Sequence, residues 1–252
     1  MKAYAVLVVY NKKLTDCPSF CSAVKEPDVQ LLVVDNSTDE LIHNQEEARK
    51  AGAWFLSMNG NKGLSGAYNA ALDRLESESG DWVVLLDDDT VIPDEYWKQL
   101  RQEVPDAIRL PVVRTYHGEI ISPAEMKHDI PRSAKSLDCI SNITGINSGM
   151  AIPKRLMLTY RYDENLFLDF IDHQFLKDMK QSGESVRILP VELTQDFSAD
   201  AENIESAMNR FRILRSDLKV FYRQNPWKFR FLITKRKIKL YLQLRNLEVF
   251  CG

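Results

Sequence analysis

Three carboxylates, Asp87, Asp88 and Asp89, follow directly on the apolar run Trp82-Val83-Val84-Leu85-Leu86. Adjacent negative charges repel, so a folded chain tolerates them only where they are well solvated or neutralised by a cation. A hard divalent metal holding a phosphate is the economical explanation. The alternative is an acidic turn capping the helix that begins near Pro93. A second pair, Asp169 and Asp172, lies in the mainly apolar stretch 165–183, where a helix begins. An aspartate there could be an N-cap; partial burial could equally raise its basicity enough to accept a proton from a hydroxyl, which suits a general base. A third candidate is Asn61-Lys62-Gly63-Leu64-Ser65-Gly66-Ala67-Tyr68-Asn69. Small residues at a turn entering a helix leave backbone amides and the helix dipole open to an anion, although they also permit tight packing. The spacing is neither Gly-x-Gly-x-x-Gly nor a P-loop, which argues against a dinucleotide fold and an ATPase.

The elements that must position these residues can be read from the apolar pattern. Ala3–Val9 and Val29–Val34 are β-branched runs that end in Tyr10-Asn11 and Asp35-Asn36-Ser37, and the run before Asp87 resembles them. Such near-continuous apolar runs fit strands buried on both faces. Between them, 39–52 has a helix-forming composition ending at Gly52, 53–57 reads as a strand, and 64–78 shows helical spacing. Strand-helix alternation predicts a mostly parallel, doubly wound α/β sheet flanked by helices, whose ligands bind beyond the carboxyl ends of the strands. From 109 to 142 the periodicity is weak and predicts short strands and loops. The run 143–152 reads as one strand interrupted by Gly145 and Gly149, which suggests close backbone approach; 166–182 reads as a helix and 186–193 as a last strand.

Composition narrows the class. The chain has 252 residues and four cysteines, at positions 17, 21, 139 and 251, which form neither a Cys-x-x-Cys pair nor a zinc spacing with histidine. No stretch approaches about twenty apolar residues, and the N-terminal residues lack a signal-peptide cleavage pattern, so the expected location is the cytosol. The formal net charge of −3 conceals an asymmetry: from Glu205 onward twelve Lys or Arg face three acids, whereas the first 204 residues carry 21 basic and 33 acidic side chains.

In this order, the motifs resemble the inverting family-2 glycosyltransferases of GT-A (Rossmann-like) fold. The resemblance rests on Val9-Tyr10-Asn11, Val34-Asp35-Asn36-Ser37, Asn61-x-Gly63 through Asn69, Leu86-Asp87-Asp88-Asp89, and Phe167-x-Asp169-x-x-Asp172 before a helix ending in Gly183. It covers about residues 3–200, and the Phe-x-Asp-x-x-Asp form is similar to the branch containing rhamnosyltransferases and galactofuranosyltransferases of bacterial surface polysaccharides. The resemblance implies a nucleoside-diphosphate sugar donor, UDP- or dTDP-linked, and a glycan or lipid-linked acceptor. It places Tyr10, Asn11, Asp35 and Asn36 beside nucleobase and ribose, Asn61, Lys62, Gly63 and Asn69 along the remaining nucleotide surface, and Asp87 near ribose and sugar, with Asp88 in the donor-binding set but without a defined role. Ser148 and Gly149 would lie beside the donor sugar, Asp89 would bind Mg²⁺ or Mn²⁺, and Asp172 would be the catalytic base. Many relatives have a histidine after the last strand; here the chain reads Gln195-Asp196, and Asp196 is the expected substitute oxygen ligand, Gln195 a weaker one, the alternative being slow or absent turnover. The histidines at 43, 117, 128 and 173 are expected on the surface or in loops. A non-catalytic sugar-nucleotide or glycan-binding assembly protein on the same fold is the competing reading. A nucleotidyltransferase is disfavoured because no Gly-rich loop follows Val9.

These readings divide the chain into a catalytic domain, 1–204, and a basic amphipathic helical tail, 205–252, split into two helices at Pro226-Trp227. Leu232, Ile233, Ile238, Leu240, Tyr241, Leu244 and Leu247, interleaved with Lys and Arg, make a segment able to rest on an anionic membrane. The expected placement is therefore peripheral, on the inner face of the cell membrane. The same apolar face could instead pack on the catalytic body or on a second subunit of a homo-oligomer. No nucleic-acid partner is expected, because the body is acidic and no recognition fold is visible.

Overall fold

The computed structural model describes residues 1–39, 43–134, 136–137, 140–195 and 204–244. Along the chain run β1 (Ala3–Val9), α1 (Pro18–Ala23), β2 (Val29–Asp35), α2 (Asn44–Lys50), β3 (Trp54–Ser57), α3 (Gly63–Leu75), β4 (Trp82–Leu86), β5 (Thr90–Val91), α4 (Asp94–Gln102) and β6 (Ile108–Thr115). There follow β7 (Ile120–Ser122), β8 (Ala124–Lys127), β9 (Ile130–Ser133), β10 (Ile143–Thr144), β11 (Met150–Pro153), α5 (Lys154–Met157), α6 (Ile171–Gln181), β12 (Val186–Gln195), α7 (Ile204–Phe221) and α8 (Pro226–Leu244).

The central sheet has the order β3-β2-β1-β4-β11-β6-β12-β5, with β7 paired to β6, while β10-β8-β9 form a small second sheet. β1 pairs parallel with both β2 and β4, β2 with β3, and β6 with β12. β11 runs antiparallel to both β4 and β6, so those two strands point the same way. The carboxyl ends of β1, β2, β4 and β12, and the turn leading into β11, therefore share one edge. That edge carries Tyr10, Asp35, Asp87, Gln195 and Ser148. Successive residues of each strand face opposite sides of the sheet. Tyr4, Val6, Val83 and Val34 pack with α3 and α6 on one face, while Ala5, Leu7, Val84 and Val33 pack with α1 and α4 on the other. This double coverage is why the strands read as unbroken apolar runs.

Four local expectations change. First, the 109–142 stretch is not all short strands: β6 is an eight-residue strand in the middle of the sheet. Pro111 obscures it in sequence, and the sheet accommodates that proline opposite a register shift in β12 between Leu189 and Glu192. Second, the run 143–152 is broken into β10 and β11. Its glycine approaches are internal, since a Cβ on Gly149, whose φ is +74°, would stand 2.6 Å from Leu193. Third, α6 begins at Ile171, five residues later than the apolar spacing predicts, behind Phe170 at φ 65°. The backbone donors of 167–169 are bound elsewhere, as described below. Fourth, α1, initiated by Pro18, was not anticipated.

The two helices expected around Pro226 are present. Ala207, Phe211, Leu218 and Phe221 of α7 and Ile233 and Leu240 of α8 are buried in the same cluster as α3 and α6. The hydrophobic core thus crosses the boundary expected at 204–205.

Candidate active site

β4 ends in the aspartates, and the surroundings treat each one differently. Asp87 is half-buried: the Ser148 hydroxyl donates to its Oδ2, and the Gln195 amide lies 3.4 Å from the same oxygen. Burial, with Asp89, Asp88 and Asp172 nearby, pushes its pKa up to about 7, partly opposed by Ser148. Asp89 accepts a 2.9 Å hydrogen bond from Gln195 Nε2, and burial raises its pKa as well. Asp88 instead meets Lys12, whose Nζ lies 3.3 Å from Oδ1 and donates to the Asp88 carbonyl at 2.9 Å. One charge of the triplet is thus neutralised by a lysine that sequence reading did not single out.

The donor set suits a divalent cation. Asp87 and Asp89 are hard oxygen donors whose charged forms are disfavoured by burial and mutual repulsion, the condition a cation relieves. Among the described residues no three His, Cys, Asp or Glu side chains converge as a ready-made cage. Magnesium commonly needs only one or two carboxylates, with phosphates and water completing its shell, so these residues fit. Asp196, expected as a further ligand, lies outside the described residues. Gln195 directs its amide nitrogen, rather than its oxygen, at Asp89, and so braces that carboxylate instead of offering a ligand.

Asp172 sits in the first turn of α6, its side chain 16% exposed. Desolvation raises its pKa, opposed by His173, whose backbone N–H donates to Asp172 Oδ1 at 2.6 Å. A carboxylate made more basic and still reachable from solvent can take a proton from a hydroxyl. His173 was expected on the surface or in a loop. It lies instead within α6, only 13% exposed, with Nδ1 2.8 Å from Thr144 Oγ1. Tyr68 and Tyr162, with ring centroids 5.2 Å apart, have buried hydroxyls without a hydrogen-bond partner among the described residues. The pKa of each is raised, chiefly by burial, with Asp172 contributing to both and Asp87 to Tyr68. No sequence pattern distinguished them: Tyr68 stands at a helical position, where an aromatic reads as core, and Tyr162 in the loop between α5 and α6.

The remaining expected residues divide between lining and scaffolding. Asp35, 8% exposed, accepts from the Ser37 N–H at 3.0 Å and borders a cavity of about 540 Å³ shared with His43, Asn44, Arg49, Phe55 and Ser57. Tyr10 is 49% exposed beside Thr38. Asn11 spends its side-chain oxygen on the N–H groups of Thr38 and Asp39, at 2.8 and 3.0 Å, and so ties two loops of the crevice together. Asn36 donates to Asn61 Oδ1 and the Gly63 carbonyl and accepts from the Lys62 N–H at 2.9 Å; Asn61 in turn accepts from the Gly63 N–H. Together they shape the turn that starts α3, where Lys62 is exposed. Gly63, at φ +75°, has no room for a side chain, since a Cβ would stand 2.7 Å from the Phe167 ring. Asn69 exchanges hydrogen bonds with the Tyr162 backbone at 2.9 and 3.0 Å and donates to Glu164. Gly149 likewise serves packing, its carbonyl accepting from Tyr96 at 2.7 Å.

Solved structures of S. aureus TarS share the fold. One aligns with 87% of this chain and 40% of its own at 18% identity and a TM-score of 0.57; a TarS 1–349 complex with UDP-GlcNAc aligns with 86% of this chain and 66% of its own at 16% identity and a TM-score of 0.57. Among curated proteins, the dTDP-rhamnosyl transferase RfbF of Shigella flexneri is 22% identical over 197 residues, 74% of this chain and 66% of that protein. The chain thus spans slightly less than two thirds of that relative's length. The sequence model of "Glycosyl transferase family 2" matches residues 4–150, which contain the aspartate triplet, the α3 turn and both strand ends at the crevice, and the chain accordingly belongs to that family with a GT-A fold.

Proposed function

We propose that the protein transfers a sugar, with inversion, from a UDP- or dTDP-linked donor to a hydroxyl of a glycan or lipid-linked acceptor in surface-polysaccharide synthesis. The observation that carries this reading is the carboxylate pair Asp87–Asp89 at the sheet edge together with the solvent-reachable Asp172 of α6, near enough to raise the pKa of Asp87. Relatives named for dTDP-rhamnosyl transfer and for a UDP-GlcNAc complex support the donor class. In a single displacement the acceptor oxygen attacks the anomeric carbon, Asp172 takes the hydroxyl proton, and the carbon–phosphate-oxygen bond breaks to release the nucleoside diphosphate. Asp89, with Asp87, would hold Mg²⁺ or Mn²⁺; when bound, the cation neutralises charge on the departing diphosphate. Gln195 and Ser148 fix the two carboxylates, and Asp35 and Tyr10 border the nucleoside. Incubation with UDP- and dTDP-sugars and a hydroxyl acceptor tests the reading. A non-catalytic binder would take up a donor and release no nucleoside diphosphate.

The same reading places the protein at the cytosolic membrane face through α8. Ile233 and Leu240 face the core, whereas Trp227, Phe231, Ile238 and Leu242 are 65, 58, 48 and 57% exposed. At about 100° per residue these four occupy one stripe opposite the buried pair. Exposed Arg230 lies on one side of it, and Lys235 and Lys239 on the other. An apolar stripe between cations suits an anionic lipid surface. No helix among the described residues is long and apolar enough to cross a membrane. In sedimentation with phosphatidylglycerol vesicles, W227S/F231S/I238S should bind about tenfold more weakly than the wild type, whose own binding should weaken in high salt. Equal partitioning, or a concentration-dependent dimer abolished by these substitutions, would contradict it and assign the stripe to another surface or to a second subunit.

A further inference from the structure

The loop leading into α6 is held by α7, which lies beyond the expected catalytic domain. Asp217 of α7 is fully buried, and its carboxylate accepts three consecutive backbone N–H groups, those of Phe167 (2.8 Å), Leu168 (2.9 Å) and Asp169 (2.7 Å). Two turns earlier on the same helix, Arg210 forms a two-pronged ion pair with Asp169, at 2.5 and 2.6 Å. From the other side, the Phe167 carbonyl accepts the Leu64 N–H at 2.7 Å, and its ring abuts Gly63. The loop is thus clamped between the first turn of α3 and the buried face of α7. It ends at Phe170, whose left-handed backbone turns the chain into the helix that carries Asp172.

We propose that Asp217 is a positioning residue for sugar transfer, acting through the 167–169 backbone to hold Asp172 at the acceptor. The inference rests on the reading of Asp172 as the base. A buried carboxylate is costly unless its oxygens are satisfied, and here the satisfying groups belong to the loop immediately preceding the base. An anchor needed only to hold α7 on the body could use apolar contacts, which Phe211, Leu218 and Phe221 already supply. The three N–H groups instead fix the loop's path and, with it, the starting point of α6. Displacement of a reacting group by about 1 Å can cost on the order of 10²-fold in rate.

Asp217→Asn conserves the shape but replaces one acceptor oxygen by an N–H₂ that cannot accept from the loop. The expected result is a kcat lowered about 10²-fold with the donor KM changed less than about threefold. The acidic limb of the pH–rate profile should also move, because a displaced Asp172 meets a different degree of solvation. Should Asp217→Asn fail to fold, Arg210→Gln loosens the same loop from a half-exposed position and should reproduce a weaker form of the pattern. A folded Asp217→Asn with wild-type kcat and an unmoved acidic limb would overturn the inference. So would a fall in melting temperature alone, which marks a purely structural anchor. Failure of the underlying reading is separable: if Asp172→Asn turns over at the wild-type rate, the base assignment falls, whereas an inactive Asp172→Asn beside an unaffected Asp217→Asn removes only the role of Asp217.

Discussion

Asp172→Asn is expected to lower kcat about 10³-fold while leaving donor binding within a factor of two, the signature of losing a group that acts on the proton in the transition state. Asparagine keeps the oxygen that accepts the His173 N–H, so the first turn of α6 retains its bond. The fold should tolerate the change for an electrostatic reason. Burial raises the pKa of Asp172 above that of an unfolded aspartate, so the native state binds this proton more tightly and stability declines as pH rises through the interval between the two values. Above that interval the wild type carries the cost of an ionised, desolvated carboxylate, and the amide removes it. The variant should therefore melt no lower than the wild type at neutral pH. The wild-type rate should show the opposite dependence: kcat/KM should fall as pH drops through values above the ordinary carboxylate range, because the protonated base cannot accept and because Asp87 and Asp89, whose pKa values are also raised, must be ionised to hold a cation. Asp172→Asn should make that limb shallower by one proton. Steady-state assays across pH, with calorimetry for donor binding, check all of these outcomes.

Asp89→Ala is the second large effect. Removing the carboxylate leaves Gln195 without its 2.9 Å acceptor and leaves the proposed cation, among the described residues, with Asp87. A bound cation stabilises the charge developing on a departing diphosphate by on the order of several kcal/mol. The expected loss is about 10³-fold in kcat/KM. It should come with disappearance of the Mn²⁺-dependent rise in melting temperature that a nucleoside diphosphate produces in the wild type. Asp88→Ala should be much milder in turnover, since Asp88 is turned toward Lys12. Equal losses in the two variants would show that the triplet acts as an undifferentiated acidic patch.

The sequence disclosed those parts of the site that depend on short-range pattern. Apolar runs ending in Asp35 and Asp87 identify parallel strands and place their terminal residues at one edge, because burial on both faces forces an uninterrupted run. What stayed hidden depends on partners distant along the chain. The stretch 166–170 has helical spacing, yet its N–H groups bind Asp217, about fifty residues later, and no local rule anticipates a donor taken out of the helix in this way. β6 was obscured by Pro111, whose accommodation depends on a bulge in β12. Asn11, Asn36, Asn61 and Asn69 were all expected at the nucleotide surface; the loop-tying hydrogen bonds that Asn11, Asn36 and Asn69 make are set by geometry and could not be read from residue type. Lys12 and the hydroxyls of Tyr68 and Tyr162 carried no signal, because a lysine after a strand, a tyrosine on an apolar helix face and a tyrosine in a loop are each unremarkable alone. The tail shows the same limit. Its charge and hydrophobic spacing suggested one amphipathic segment, whereas Ile233 and Leu240 are buried and a different set, Trp227, Phe231, Ile238 and Leu242, remains exposed.

The central claim is single-displacement sugar transfer with Asp172 removing the acceptor proton. Its most direct test is the anomeric configuration of the first-formed product, read by proton NMR from the wild-type protein, an α-linked nucleotide sugar that it turns over, and a hydroxyl acceptor. A β-linked product from the α-linked donor is expected. An α-linked product would require two displacements or a different path, and would contradict the single-displacement role of Asp172.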